Sequence, residues 1–160
     1  MGVANDHHGN RPRRRSTKVS ILAFVFLLGL SQSCPVSAKV FEKCPLARAL
    51  DREQISSRSL ISNWVCLIMA ESGGNTTKVT TLSNESNSYG IFQINSKTWC
   101  REGRKGGGCN KACEDFLTDD LAGDIECAKK IYRDGGFGAW KGWVNKCKQK
   151  TLPDLSSCWK

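Results

Sequence analysis

The chain has 160 residues, 39% of them hydrophobic and 24% charged, with a formal net charge of +9. That length suits one ordinary domain. The positive charge favours anionic partners such as cell-wall polymers, anionic lipid or nucleic acid; no dense Lys/Arg run with interleaved aromatics occurs, which argues against nucleic acid.

The N-terminal stretch reads as a secretory leader, residues 1–38. Arg11, Arg13, Arg14, Arg15 and Lys18 precede the apolar run ILAFVFLLGL at 21–30, and a small-residue site, Val36-Ser37-Ala38, follows. The run is shorter than the roughly 20 apolar residues that span a bilayer. Cleavage is expected after Ala38. The product, 39–160, would be secreted and extracellular, with no further segment able to insert in a membrane. It carries 19 Lys and Arg against 14 Asp and Glu, and it has no histidine, because His7 and His8 precede the cut. That excludes Ser-His-Asp and Cys-His catalysis and His-ligated metal, leaving acid–base work to carboxylates, Lys or Tyr. Cys34 also falls in the leader. The eight remaining cysteines read as four disulfides in an oxidising compartment. Zinc is not expected, since no CxxC pair occurs.

Within 39–160 the spacing predicts three helices. The first covers 43–52, with Leu46, Ala47 and Leu50 at helical intervals. The second covers 60–71. Its wide apolar face of Leu60, Ile61, Trp64, Val65, Ile68 and Met69 marks a central, buried helix, and Ser72-Gly73-Gly74-Asn75 ends it. Residues 76–95 read as a small hairpin or three-strand meander, and 101–112 as a loop. The third helix covers 124–133. Asp124 is placed to cap it, Ile125, Ala128, Ile131 and Tyr132 form its stripe, and Gly135 ends it. Helices, a short sheet, then helices again make an α+β fold.

The stretch SNESNSYGIFQINS, 83–96, divides in two. Ile91, Phe92 and Ile94 predict a strand with Gln93 and Asn95 on one face, as in a cleft wall, while the first half is turn-like. Glu71 ends the apolar second helix. The negative end of the helix dipole and an apolar surround work against its charged form, and a carboxyl that stays protonated is what a general acid requires.

Trp64, Cys66 and Glu71 stand in WVCLIMAES. YGIFQINS and Trp99-Cys100 follow, then CxxxC at 109–113, CAKKI at 127–131 and AWxxW from Ala139, with KVFEKC at 39–44. On these motifs and all eight cysteines in order, 39–160 resembles c-type (chicken-type) lysozyme and its α-lactalbumin relatives, the invertebrate members most. The resemblance implies a helical lobe and a small antiparallel β lobe around a cleft for alternating N-acetyl sugars. It implies the pairs Cys44–Cys158, Cys66–Cys147, Cys100–Cys113 and Cys109–Cys127. It makes Glu71 the general acid, with Trp140 packed against it. It assigns sugar contacts to Gln93, Asn95, Trp99, Asp134, Ala139 and Trp140.

One expected residue is missing. The family's second carboxylate, an Asp, directly precedes the Tyr-Gly of this strand; here that position is Ser88, 17 residues after Glu71, the family's usual separation. The Asp takes the covalent bond to the sugar or offsets the oxocarbenium charge. A hydroxyl without a base does neither. Losing such a group removes about 10²- to 10⁴-fold in rate. Glu85 could replace it only by swinging in from the opposite face of a strand. Direct attack by water, with Glu71 still the acid, is a slower route. Thr98 also replaces a second bulky aromatic of the family, Leu82 a polar sugar contact, and Glu85 a turn glycine.

Two sequons, Asn75-Thr76-Thr77 and Asn84-Glu85-Ser86, are acceptors for N-linked glycans in a secreted chain. The α-lactalbumin relatives bind calcium in the segment matching 114–126. Only Asp124 matches its three carboxylates, with Thr118 and Gly123 at the other two, so no calcium, other metal or cofactor is expected. Asp119 and Asp120 read as capping or solvated. The expected partner is peptidoglycan or a chito-oligosaccharide, bound by a monomer. Two rival readings are a sugar-binding protein without turnover and a cationic membrane-active protein. The second rests on Arg101, Arg104 and Lys105.

Overall fold

Leu46, Ala47 and Leu50 are buried by the first helix, α1 (Lys43–Arg52), as its periodicity predicts, and Ala49 is buried with them. The computed structural model describes Met1, Gly2 and residues 38–160, so the expected leader lies outside the described residues apart from its ends. The second helix, α2 (Ile61–Glu71), buries Ile61, Trp64, Val65, Leu67 and Ile68. Met69, expected on its inner face, is instead 43% exposed. Leu67 goes inward because α2 packs against α1 and against α4 (Lys141–Lys146), so its apolar face is set by two neighbours. The six-residue α4, at the AWxxW motif, was not predicted: it is too short for periodicity to register and contains Gly142.

The meander expected over 76–95 is an antiparallel sheet in the order β1 (Val79–Thr81), β2 (Asn87–Tyr89), β3 (Ile94–Asn95). Its strand boundaries differ from the expectation. Residues 91–93 are a turn, and only Ile94–Asn95 belong to the strand. Gly90 at φ +70° and Gln93 at φ +52° turn the chain, and the Gln93 N–H closes the turn on Gly90 O at 3.1 Å. A Cβ at Gly90 would lie 2.0 Å from the Phe116 carbonyl oxygen, so no other residue fits. Asn87–Tyr89, read as turn-like, form the central strand. Pairing on both edges outweighs the weak strand preference of Asn and Ser.

The third helix, α3 (Ala122–Gly135), begins two residues before its predicted start. Asp124 therefore lies inside it, fully buried, and does not cap it. Asp120 takes that role, its Oδ1 accepting the Ala122 N–H at 3.1 Å. Gly136, at φ +58°, receives the helix end. Among the described residues the disulfides are Cys44–Cys158, Cys66–Cys147, Cys100–Cys113 and Cys109–Cys127, as the resemblance implied. The core centres on Trp64, whose ring meets Phe92, Tyr132, Phe137 and Trp140 at centroid distances of 4.8–6.0 Å. Among the described residues no helix is long and apolar enough to cross a membrane.

Candidate active site

Glu71 is the last residue of α2, half-buried, and it is held at two points. The Gly142 N–H in α4 donates to Glu71 Oε1 at 2.6 Å. A Cβ at Gly142 would stand 2.6 Å from the same oxygen, so the approach requires glycine. With Oε1 taken, Oε2 has no hydrogen-bond partner among the described residues. Behind the carboxyl, the Lys78 ammonium donates to the Glu71 carbonyl oxygen at 2.6 Å.

These contacts close into a ring. The Lys78 carbonyl accepts from Gln93 Nε2 at 3.1 Å and from the Gly90 N–H at 2.9 Å. Next to Gln93, the Phe92 carbonyl accepts the Trp140 indole N–H at 2.9 Å. Trp140 is 5% exposed and precedes Gly142 by two residues, which returns the ring to Glu71. The arrangement brings Glu71, Trp140 and Gln93 together. It commits the Gln93 amide nitrogen to two backbone carbonyls, those of Lys78 and Gly90. Sequence reasoning missed Lys78 and Gly142. Neither belongs to a periodic face, and a glycine that only makes room leaves no pattern.

The sheet side is neutral. Ser88 is 7% exposed in the central strand, paired with Thr80 on β1 and Asn95 on β3. Its hydroxyl makes no hydrogen bond among the described residues. Asn95 Nδ2 donates to Ser86 Oγ at 2.9 Å, and the Ser86 hydroxyl donates to Asn84 Oδ1 at 2.7 Å. Asn87 and Tyr89, which flank Ser88 and point to the other face, hold a carboxylate there. Asn87 Nδ2 donates to Glu102 Oε1 at 2.9 Å. That bond, with the Tyr89 hydroxyl, holds the exposed Glu102 carboxyl below the usual range. Burial first, then Glu102, pushes the Tyr89 phenol up. Glu85 is exposed in the turn before β2 at φ +59°, not within a strand.

The other predicted residues take no part in this ring. Trp99 is half-buried against Gly108. Asp134 and Ala139 are exposed at the end of α3 and in the short turn after it. Asn84 is exposed and Asn75 half-buried; each side-chain oxygen accepts the N–H and the hydroxyl of its own sequon's third residue. Arg101 Nη1 is spent on the carbonyls of Ser96, Lys97 and Cys100. The 114–126 segment does not fit calcium. Thr118 donates to the Asp120 carbonyl, and the Gly123 position faces the Lys111 ammonium. Both oxygens of Asp124 lack a hydrogen-bond partner among the described residues. Burial first, with Asp120 adding to it and Lys111 opposing, pushes this carboxyl up to about 8.

Known proteins resemble the chain in sequence and in fold. The model of the C-type lysozyme/alpha-lactalbumin family matches residues 39–158. The chain is 47% identical over 133 residues to Lysozyme c-1 of Anopheles gambiae, covering 82% of this chain and 94% of that one. It is 45% identical to a lysozyme of Bombyx mori, covering 88% and 98%. Among solved structures it resembles a lysozyme from Litopenaeus vannamei, with TM-score 0.69 and 38% identity over 77% of this chain and 99% of that chain. It also resembles a lysozyme from Equus asinus, with TM-score 0.66 and 40% identity over 75% and 98%. The chain belongs to the C-type lysozyme/alpha-lactalbumin family.

Proposed function

We propose that this protein is a secreted, monomeric glycoside hydrolase that cleaves β-1,4 bonds of bacterial peptidoglycan with Glu71 as general acid, slowed by Ser88. The observation that carries the reading is the Gly142 N–H on Glu71 Oε1. Glu71 Oε2 delivers its proton to the glycosidic oxygen as the bond to the anomeric carbon breaks. The carboxylate left behind is held by the Gly142 N–H, whose bond strengthens as the charge appears. That is stabilisation specific to the transition state.

On the opposite side the positive charge at the anomeric carbon meets Thr80, Ser88 and Asn95, which offer dipoles and no charge. Water is then the nucleophile: it attacks from the face away from Glu71, inverting the anomeric centre, and with no base on that side it releases its proton to solvent once the new C–O bond has formed. The second reading, sugar binding without turnover, is favoured by one observation: Ser88 keeps its register in the strand while losing the reactive group.

A hydrolysis assay of purified 39–160 on bacterial cell walls and chito-oligosaccharides decides between them, with Glu71→Gln and Ser88→Asp beside it. Turnover that disappears in Glu71→Gln supports the enzyme. A silent parent that Ser88→Asp rescues supports the binding protein. Turnover that survives Glu71→Gln removes Glu71 from the mechanism.

A further inference from the structure

The carbonyl of Glu71 is an orphan acceptor at the end of α2, and the last turn of that helix carries no basic residue. Lys78 fills the gap from seven residues downstream, immediately before β1, with its ammonium 2.6 Å from that carbonyl. The contact is charge-assisted, part-buried and at the negative end of the helix dipole. Lys78 forms no ion pair among the described residues, so its charge is directed at the backbone and not at the Glu71 carboxyl.

The same residue grips the sheet. Its own carbonyl takes the Gly90 N–H and the Gln93 amide. Gly90 lies two residues after Ser88, in the turn that leaves β2. Lys78 thus joins the backbone of the acid to the backbone of the strand opposite it. The Gly142 bond cannot do this, because it ties Glu71 only to α4, within the helical part.

We infer that Lys78 is a positioning residue: its ammonium fixes the end of α2 against the sheet and so sets the gap between Glu71 and the strand of Ser88. The inference rests on the reading of Glu71 as general acid. A 1 Å displacement of a reacting group costs up to about 10²-fold in rate, so a lost clamp is expected to lower kcat about 10-fold while substrate binding is kept.

The test uses Lys78→Met and Lys78→Arg in the Ser88→Asp chain, where turnover is expected to be largest. Lys78→Met should lower kcat on a chito-oligosaccharide about 10-fold with KM within about 2-fold, and Lys78→Arg should restore most of it. Unchanged kcat, or a loss that Arg fails to restore, overturns the proposal. If no chain turns over, the acid reading has failed by itself. Amide exchange then judges Lys78. Faster exchange at Gly90 and Ser72 in Lys78→Met, with α1 unaffected and Arg restoring protection, supports the clamp. Unchanged exchange overturns it.

Discussion

The two sides of the site have fared differently. Around Glu71 a ring of hydrogen bonds through Gly142, Trp140, Phe92, Gln93 and Lys78 holds the acid from both its carboxyl and its backbone. Around Ser88 the backbone register is equally well defined, yet Thr80, Ser88 and Asn95 present a face without charge. Geometry and chemistry are thus separable in this fold. A strand keeps its place through pairing and the turn at Gly90, neither of which depends on the Ser88 side chain. The acid has no such independence, because its carboxyl oxygen is itself a hydrogen-bond acceptor of the scaffold.

The sharpest way to break the contrast is to return the charge. Ser88→Asp should raise hydrolysis of cell walls by about 10²- to 10⁴-fold, measured as initial rates at fixed protein concentration. A rise smaller than about 3-fold would mean that more than this side chain has been lost. On the other side, Gly142→Ala places a Cβ 2.6 Å from Glu71 Oε1 and must displace the carboxyl. Turnover in the Ser88→Asp chain should fall about 10- to 10²-fold, with the thermal midpoint nearly unchanged, because a flexible side-chain end gives way more cheaply than backbone.

Gly90→Ala tests the scaffold and not the chemistry. The residue sits at φ +70°, and its Cβ would press on the Phe116 carbonyl, which is backbone and cannot yield. A loss of about 3 kcal/mol or more is expected in urea denaturation.

A pH-dependent effect concerns Asp124, whose Oδ1 lies 3.1 Å from the position of a Gly90 Cβ. Its folded value of about 8 stands above the ordinary 3.8 of the unfolded chain. Between these values the native state keeps a proton that the unfolded state has released. Stability from this group is therefore full below the unfolded value and declines as pH rises towards 8. Asp124→Asn, a neutral stand-in for the protonated acid, should flatten that decline in denaturation midpoints taken from pH 5 to 8.

Much of this was legible in the residues. The stripe of Leu46, Ala47 and Leu50 and the run from Ile61 to Ile68 announced two helices within a residue of their bounds, because burial on one face leaves a period. Ser88 was equally plain, since a motif shows a gap where a side chain has changed. What stayed hidden had no local cause. Gln93 reads as a strand residue, but Gly90 and the Phe116 carbonyl, far along the chain, force a turn there. Asp124 has the composition of a cap and became a buried acid because α3 starts earlier and Asp120 caps it. Lys78 looks like any surface lysine until the helix end it serves is placed in space. The chemistry of the site was written in short motifs, and its supports were written in contacts between them.

The proton on Asp124 has one more consequence. It sits on a fully buried side chain of helix α3, next to the turn at Gly90. It can leave only when helix and sheet part. The lag between a pH jump and its departure is therefore a clock for breathing between the two, and it runs whether or not the cleft ever cuts a sugar.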